Sequence, residues 1–184
     1  MQRYFLYLFL SSLLISCKEQ SHLTKIYNCN NSYLTKLERV IDAKKQFEIL
    51  LPKNWKINLY IDNQLSSIYA ADTTLELSKT ILLDVSFVQQ NIHFNLDFKK
   101  KSYLTHYKNQ LDETISKDIF ILEKPAYITI SKGKKGKLSY QISEMYIKLN
   151  DNSFILAKIE IYGDSLVENR FCKAFNLIDQ IQLK

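Results

Sequence analysis

Hydrophobic and polar positions along this chain follow a two-residue period for most of its length, interrupted by two stretches of helical spacing. Phe47-Glu48-Ile49-Leu50-Leu51-Pro52 reads as a strand that stops at a proline, which cannot donate to a ladder. Lys56 to Ile61 puts Ile57, Leu59 and Ile61 on one face, Asp62-Asn63 supplies a turn, and Ser67 to Ala71 returns. Ile81, Leu83, Val85 and Phe87 make the most regular run of the first half. Ahead of these strands, Leu34, Leu37, Val40 and Ile41 are spaced for a short helix. After Asn95 the step lengthens: Tyr103, Tyr107, Leu111 and Ile115, with Leu104, form one stripe on a helix of roughly 15–20 residues. Lys99, Lys100 and Lys101 would oppose the dipole of a first turn. The spacing therefore predicts a helix start near Ser102, with Ser102 as N-cap and the lysines on an exposed approach loop.

The second half predicts a register. Met145, Ile147 and Leu149 are apolar at odd positions, and so are Ile155, Ala157, Ile159 and Ile161. Opposed residues of an antiparallel pair share a face, so two strands with odd positions inward must pair odd with odd. A three-residue loop, Asn150-Asp151-Asn152, sets Ile147 opposite Ile155 and Met145 opposite Ala157. Glu144 then faces Lys158, a charge pair that played no part in choosing the register. Leu138, Tyr140 and Ile142 put apolar groups on the even face, which requires either a bulge near Ser143 or partial cover on both faces. Gly163-Asp164-Ser165 ends the strand, and Ser165-Leu166-Val167-Glu168 has capping-box spacing. Val167, Phe171, Ala174, Phe175 and Ile178 form the stripe of a second helix, and Ile181–Leu183 a closing strand.

The amino end departs from both periods. Arg3, an apolar run from Tyr4 to Ile15 too short to span a bilayer, and Leu14-Ile15-Ser16-Cys17 have the parts of a bacterial lipoprotein signal. Residues 1–16 are expected to be removed and Cys17 to carry lipid, palmitate among its acyl chains. Residues 17–42 read as a lipid-anchored tether and lead-in, and residues 43–184 as one domain. Lys18 in place of an acidic residue argues against inner-membrane retention, and Cys17-Lys18-Glu19 resembles a surface-export signal. The expected address is the outer membrane, on its periplasmic or surface face.

Composition narrows the class. An apolar content of 46%, with 12 Tyr and 10 Phe, excludes a disordered chain, while 3 Gly and 2 Pro argue for long regular elements. A net charge of +6 would suit a nucleic acid, but an exported, lipidated chain does not meet one. The expected contacts are the membrane through the N-terminal lipid and an envelope protein or anionic headgroups, with no nucleic acid. With Cys17 lipidated, Cys29 and Cys172 remain as an even pair in a disulfide-permissive compartment. They are either a bridge between the N-terminal segment and the last helix or two buried free thiols. There is no CxxC redox pair.

The order of Phe47-Glu48-Ile49-Leu50-Leu51-Pro52-Lys53-Asn54-Trp55, a central strand, the Tyr103 to Ile115 helix, a long meander and a closing helix and strand resembles the PsbP-like superfamily. The likeness is to its uncharacterised envelope lipoproteins of flavobacterium-type bacteria and covers residues 45–184. It implies an α+β fold, a twisted antiparallel sheet flanked by helices as an α/β/α sandwich. It also implies a non-catalytic binding, scaffolding or accessory role. No metal site of the plant proteins maps onto this chain, so no photosynthetic role follows.

Residue chemistry adds few candidates. His22, His93 and His106 have no metal-ligand spacing, and neither G-x-S-x-G nor HExxH is present, so no metal, cofactor or catalytic residue is assigned. The sharpest polar feature is Lys132-Gly133-Lys134-Lys135-Gly136-Lys137, whose glycines suit a hairpin and whose Lys132, Lys134, Lys135 and Lys137 would present positive charge to an anionic partner. Trp55, Tyr60 and Tyr69 raise a second reading, a carrier of a small hydrophobic ligand, against the plainer one of core packing. A hydrolase without a recognisable motif is the weakest alternative.

Overall fold

The computed structural model describes residues 21–29 and 34–184. The expected signal segment, Cys17 and residues 30–33 lie outside the described residues. A 3-10 turn at Thr24–Tyr27 precedes β1 (Leu37–Ile41), β2 (Phe47–Pro52), β3 (Lys56–Ile61), β4 (Leu65–Ala71) and β5 (Leu82–Val88). Helix α1 (Leu96–Lys108) leads to β6 (Asp112–Ile121), β7 (Lys124–Lys135), β8 (Leu138–Asn150) and β9 (Ser153–Tyr162). Helix α2 (Val167–Ile178) and β10 (Gln182–Leu183) close the chain. The strands form a seven-stranded antiparallel sheet in the order β3-β4-β5-β9-β8-β7-β6 and a three-stranded one in the order β1-β2-β10. This is an α+β architecture, with α2 on one face of the large sheet and α1 on the other.

Strand alternation builds the core. One ladder row across the large sheet runs Ile68, Val85, Ala157, Met145, Ile128, all essentially inaccessible. Phe171 and Phe175 of α2 and Phe47, Ile49 and Leu51 of β2 close over this face in one apolar cluster. The expected pairing of β8 with β9 is present: Ile147 opposes Ile155, Met145 opposes Ala157 and Glu144 opposes Lys158. Near the turn the register shifts between Lys148 and Asn150, so Asn150 pairs with Ser153 and only Asp151 and Asn152 form the loop. Farther along, Tyr140 still pairs with Tyr162 in the same register, so the apolar even positions reflect cover on both faces rather than a bulge at Ser143.

Four local expectations are corrected. Leu37–Ile41 is strand β1, not part of a helix: Asp42 accepts hydrogen bonds from the backbone N–H groups of Lys44, Gln46 and Phe47, turning the chain so that β1 pairs with β2. Helix α1 begins six residues before Ser102. Asn95 caps it by accepting from Phe98 N at 2.9 Å, and Asp97 offsets the lysines of the next turn. The stripe of Tyr103, Leu104 and Tyr107 faces solvent, and Ile115 belongs to β6. The helix lies on the sheet through Phe98, Ser102 and His106, an i, i+4 row of smaller apolar content. Finally, α2 has Leu166 in the left-handed region as its N-cap with no side-chain cap, so the capping box of Ser165 and Glu168 is not made.

Candidate functional site

The second face of the large sheet is polar. Reading across the strands, one ladder row is Tyr69, Asp84, Lys158, Glu144, Thr129, Ser116, and the next holds Ser67, Ser86, Leu156, Tyr146, Tyr127 and Asp118. Helix α1 covers the β6–β8 half. Phe98 meets Tyr127 and Tyr146 edge-on, with ring centroids 5.6 and 5.1 Å apart, and Lys99 Nζ sits 2.6 Å from Asp118 Oδ2.

Beneath the helix lies a buried charge network centred on His106, which is 4% exposed. Its Nε2 is 3.2 Å from Glu144 Oε2, and its Nδ1 is 3.1 Å from Ser131 Oγ and 3.8 Å from Glu113 Oε2. Glu144 also accepts from Tyr146 Oη at 3.1 Å and meets Lys158 Nζ at 3.4 Å. The hydrogen bond to Glu144 raises the imidazole pKa, against burial, which opposes the charge. Burial by itself would raise the Glu144 carboxyl, but His106 and Lys158 bring it below the ordinary carboxylate range. Burial, followed by the Glu144 charge, pushes the Tyr146 phenol well up.

Among the described residues, neither helix covers the β4–β5–β9 half of this face. Glu160 Oε2 accepts from Tyr140 Oη at 2.9 Å and Tyr162 Oη at 3.3 Å, and Lys135 Nζ reaches it at 3.2 Å while lying 3.8 Å above the Tyr140 ring. Burial and then Glu160 raise the Tyr140 phenol strongly. Asp84 accepts from Ser86 at 3.0 Å, and burial raises its carboxyl. Chemically the face is a set of charges already answered by neighbours. His106, Glu113, Glu144 and Ser131 converge as an acid-base constellation would, but they are shut beneath α1. Clefts among the described residues lie elsewhere, one of about 610 Å³ bordered by Gln46, Gln89, Lys124 and Asn150 to Ser153, and another of about 570 Å³ at the Asp62–Leu65 turn.

The residues singled out from the sequence are dispersed. Cys29 and Cys172 form a disulfide with Cα atoms 5.4 Å apart, tying the N-terminal segment to α2. Leu23 and Cys29 are buried in the core that α2 helps to form. Trp55 is also in that core, whereas Tyr60 is exposed and Tyr69 half-buried on the polar face, so the three aromatics line no common pocket. In the basic segment Gly136, with φ of 61°, makes the two-residue hairpin, while Gly133 serves a different purpose: a Cβ there would come within 2.6 Å of Gln110 O. Alternation separates the lysines. Lys132 and Lys134 project from the face opposite Lys135, which is drawn onto Tyr140 and Glu160, and Lys137 is exposed in the turn. Among the described residues, no group of three or more His, Cys, Asp or Glu is placed to hold a metal ion. No helix there is long and apolar enough to cross a membrane. Sequence reasoning passed over His106, Glu113 and Ser131, and the Glu144–Lys158 pairing was the one legible sign of this network.

No family model matches the chain, and no curated protein matches it by sequence. Solved structures do. A protein of Bacteroides thetaiotaomicron superposes with a TM-score of 0.53 at 12% identity over 82% of this chain, which spans about half (49%) of that one. The cyanobacterial PsbP of Synechocystis superposes with a TM-score of 0.53 at 11% identity, covering 85% of this chain and 97% of its own. LpqN of Mycobacterium tuberculosis, described as involved in cell envelope biogenesis, gives a TM-score of 0.47 at 11% identity, covering 80% of this chain and 90% of its own. The fold is PsbP-like.

Proposed function

We propose that this is a lipid-anchored protein of the bacterial cell envelope, a non-catalytic binding, scaffolding or accessory factor held at the outer membrane by Cys17.

 The disulfide carries this reading. It takes Cys29 and Cys172 out of the cysteine count, leaving Cys17, at the end of the Leu14-Ile15-Ser16 run, as the third cysteine of the chain, and it suits an oxidising compartment. A binding role is supported by the polar sheet face, whose charged groups are paired with one another rather than set around a reachable nucleophile or acid-base couple. The PsbP-like fold agrees with it. All four lysines of the basic hairpin are exposed, and with Lys135 held by Glu160, Lys132, Lys134 and Lys137 are the ones available to anionic headgroups. Carriage of a small hydrophobic ligand has less support, because the cleft beside Asn150 is bordered largely by polar side chains.

Metabolic labelling with a palmitate analogue in a host that processes lipoproteins tests the anchor. Label is expected on the wild-type chain and absent from Cys17→Ser. A wild-type chain without label, or a Cys17→Ser chain that keeps it, would refute the reading.

A further inference from the structure

The helix that sequence spacing places apolar side inward is docked the other way round. Of the twelve large apolar side chains exposed among the described residues, four belong to α1: Leu96 (84% exposed), Tyr103, Leu104 and Tyr107 (67%). A fifth, Phe120 at 57%, is on β6, two residues from the Asp118 that Lys99 of α1 holds. Lys100, Lys101 and Lys108 are exposed on the same helix, with Asp97 as its one acidic residue. An outward helix face that interleaves tyrosine and leucine with lysine has the chemistry of an element lying at a bilayer interface, where aromatic rings sit at headgroup level and cations meet anionic lipid.

Chain geometry says which surface faces the anchor. His22 packs edge-on against Phe120, with ring centroids 6.3 Å apart, and Ser21 Oγ donates to Asp179 at the end of α2, so the described chain begins at the β6 edge of the sheet, beside the last turn of α2. Only residues 18–20 separate Ser21 from Cys17. Fully extended, that stretch reaches about 14 Å. A lipid on Cys17 therefore holds the β6 side of the domain close to the membrane.

We propose that the outward face of α1 and the adjoining Phe120 rest on the bilayer that holds the anchor, with Leu96, Tyr103, Leu104 and Tyr107 at the headgroup level and Lys100, Lys101 and Lys108 against anionic lipid. This rests on the lipid-anchor reading above and adds an orientation to it. The edge strand β3, at the opposite end of the seven-strand order from β6, is then the strand farthest from the anchor.

The test uses the full lipidated chain reconstituted into phosphatidylethanolamine vesicles containing phosphatidylglycerol. An environment-sensitive probe is placed at Leu96→Cys, Tyr103→Cys or, as reference on the far edge, Tyr60→Cys, and quenched with spin-labelled lipid. Quenching is expected at positions 96 and 103 and not at 60, and it should weaken when Lys100, Lys101 and Lys108 are all replaced by Gln. Equal quenching at all three positions, or none at 96 and 103, overturns the orientation, including the case in which a protein partner occupies this face. Mass analysis of the N-terminal peptide keeps the two readings apart: an acylated Cys17 with unquenched probes sinks the orientation alone, whereas an unmodified Cys17 sinks the anchor.

Discussion

Raising the pH should release α1 from the sheet, and the reason lies in His106. The ring is 4% exposed and lies between Glu144, 3.2 Å from Nε2, and Glu113, 3.8 Å from Nδ1. The hydrogen bond to Glu144 holds its pKa above the ordinary value, with burial opposing. A histidine whose folded pKa exceeds its unfolded value of about 6.5 contributes stability that is fully present below that value. The contribution is lost as pH rises through the folded pKa, at about 1.4 kcal/mol for each unit of separation between the two values. Glu144 acts at the other end. Despite burial, its pKa is lowered by His106 and Lys158, so its contribution is present above about pH 4.3 and is lost as pH falls through the folded value. The substitution His106→Gln keeps an N–H donor and removes the charge. Near pH 6 it should cost about 1.5–3 kcal/mol, the range for a hydrogen bond to a charged group. Urea unfolding followed by Trp55 fluorescence reports the global change, since Trp55 is in the core, and amide exchange in α1 reports the local one. The difference between wild type and His106→Gln should be largest on the acid side of neutrality and shrink as pH rises. A difference that is constant, or that grows with pH, would refute the argument.

Two further outcomes test the scaffold. Removing the disulfide with Cys29→Ser and Cys172→Ser opens a closure spanning 143 residues, for which chain entropy gives about 5 kcal/mol; urea midpoints with and without reductant should show a loss of about 2–5 kcal/mol in the wild type and none in the double variant. Gly133→Ala places a Cβ 2.6 Å from Gln110 O and 2.8 Å from a Leu111 methyl, so the loop after α1 must shift; a loss of about 1–3 kcal/mol is expected, with faster amide exchange at the end of α1 than in β9.

The long-strand meander was legible because a sheet face with one buried side writes its register into parity. Ile147 opposite Ile155 followed from odd positions together with the turn placed at Asn150 to Asn152, and Glu144 opposite Lys158 came with it. Helix α1 was legible only as an element. Its apolar residues, Tyr103, Leu104 and Tyr107, outnumber those of its buried row, and a periodicity argument assumes that the richer stripe goes inward. Here the buried row ends in His106 instead, because the sheet beneath it offers Glu144, Glu113 and Ser131, partners contributed by three different strands that no local spacing brings together. Strand β1 was misread for a related reason: Leu34, Leu37, Val40 and Ile41 are spaced for a helix and show no alternation, and the strand is chosen instead by β2, which supplies the hydrogen bonds.

These observations bear on where recognition takes place. On the polar face Glu144 is met by His106, Tyr146 and Lys158, and Glu160 by Tyr140, Tyr162 and Lys135. A charged ligand approaching that face must compete with bonds already made, so the net gain from each new contact is small. The opposite condition holds on the outer side of α1. Leu96 and Tyr107 are among the most exposed apolar side chains described, and each loses water contact without breaking an internal bond when it is covered. The pairing that fixes α1 through its polar row is what leaves its apolar row outside. His106 and the outward tyrosines are thus two sides of one arrangement, in which a buried charge network holds the helix so that its sticky face is turned away from the domain.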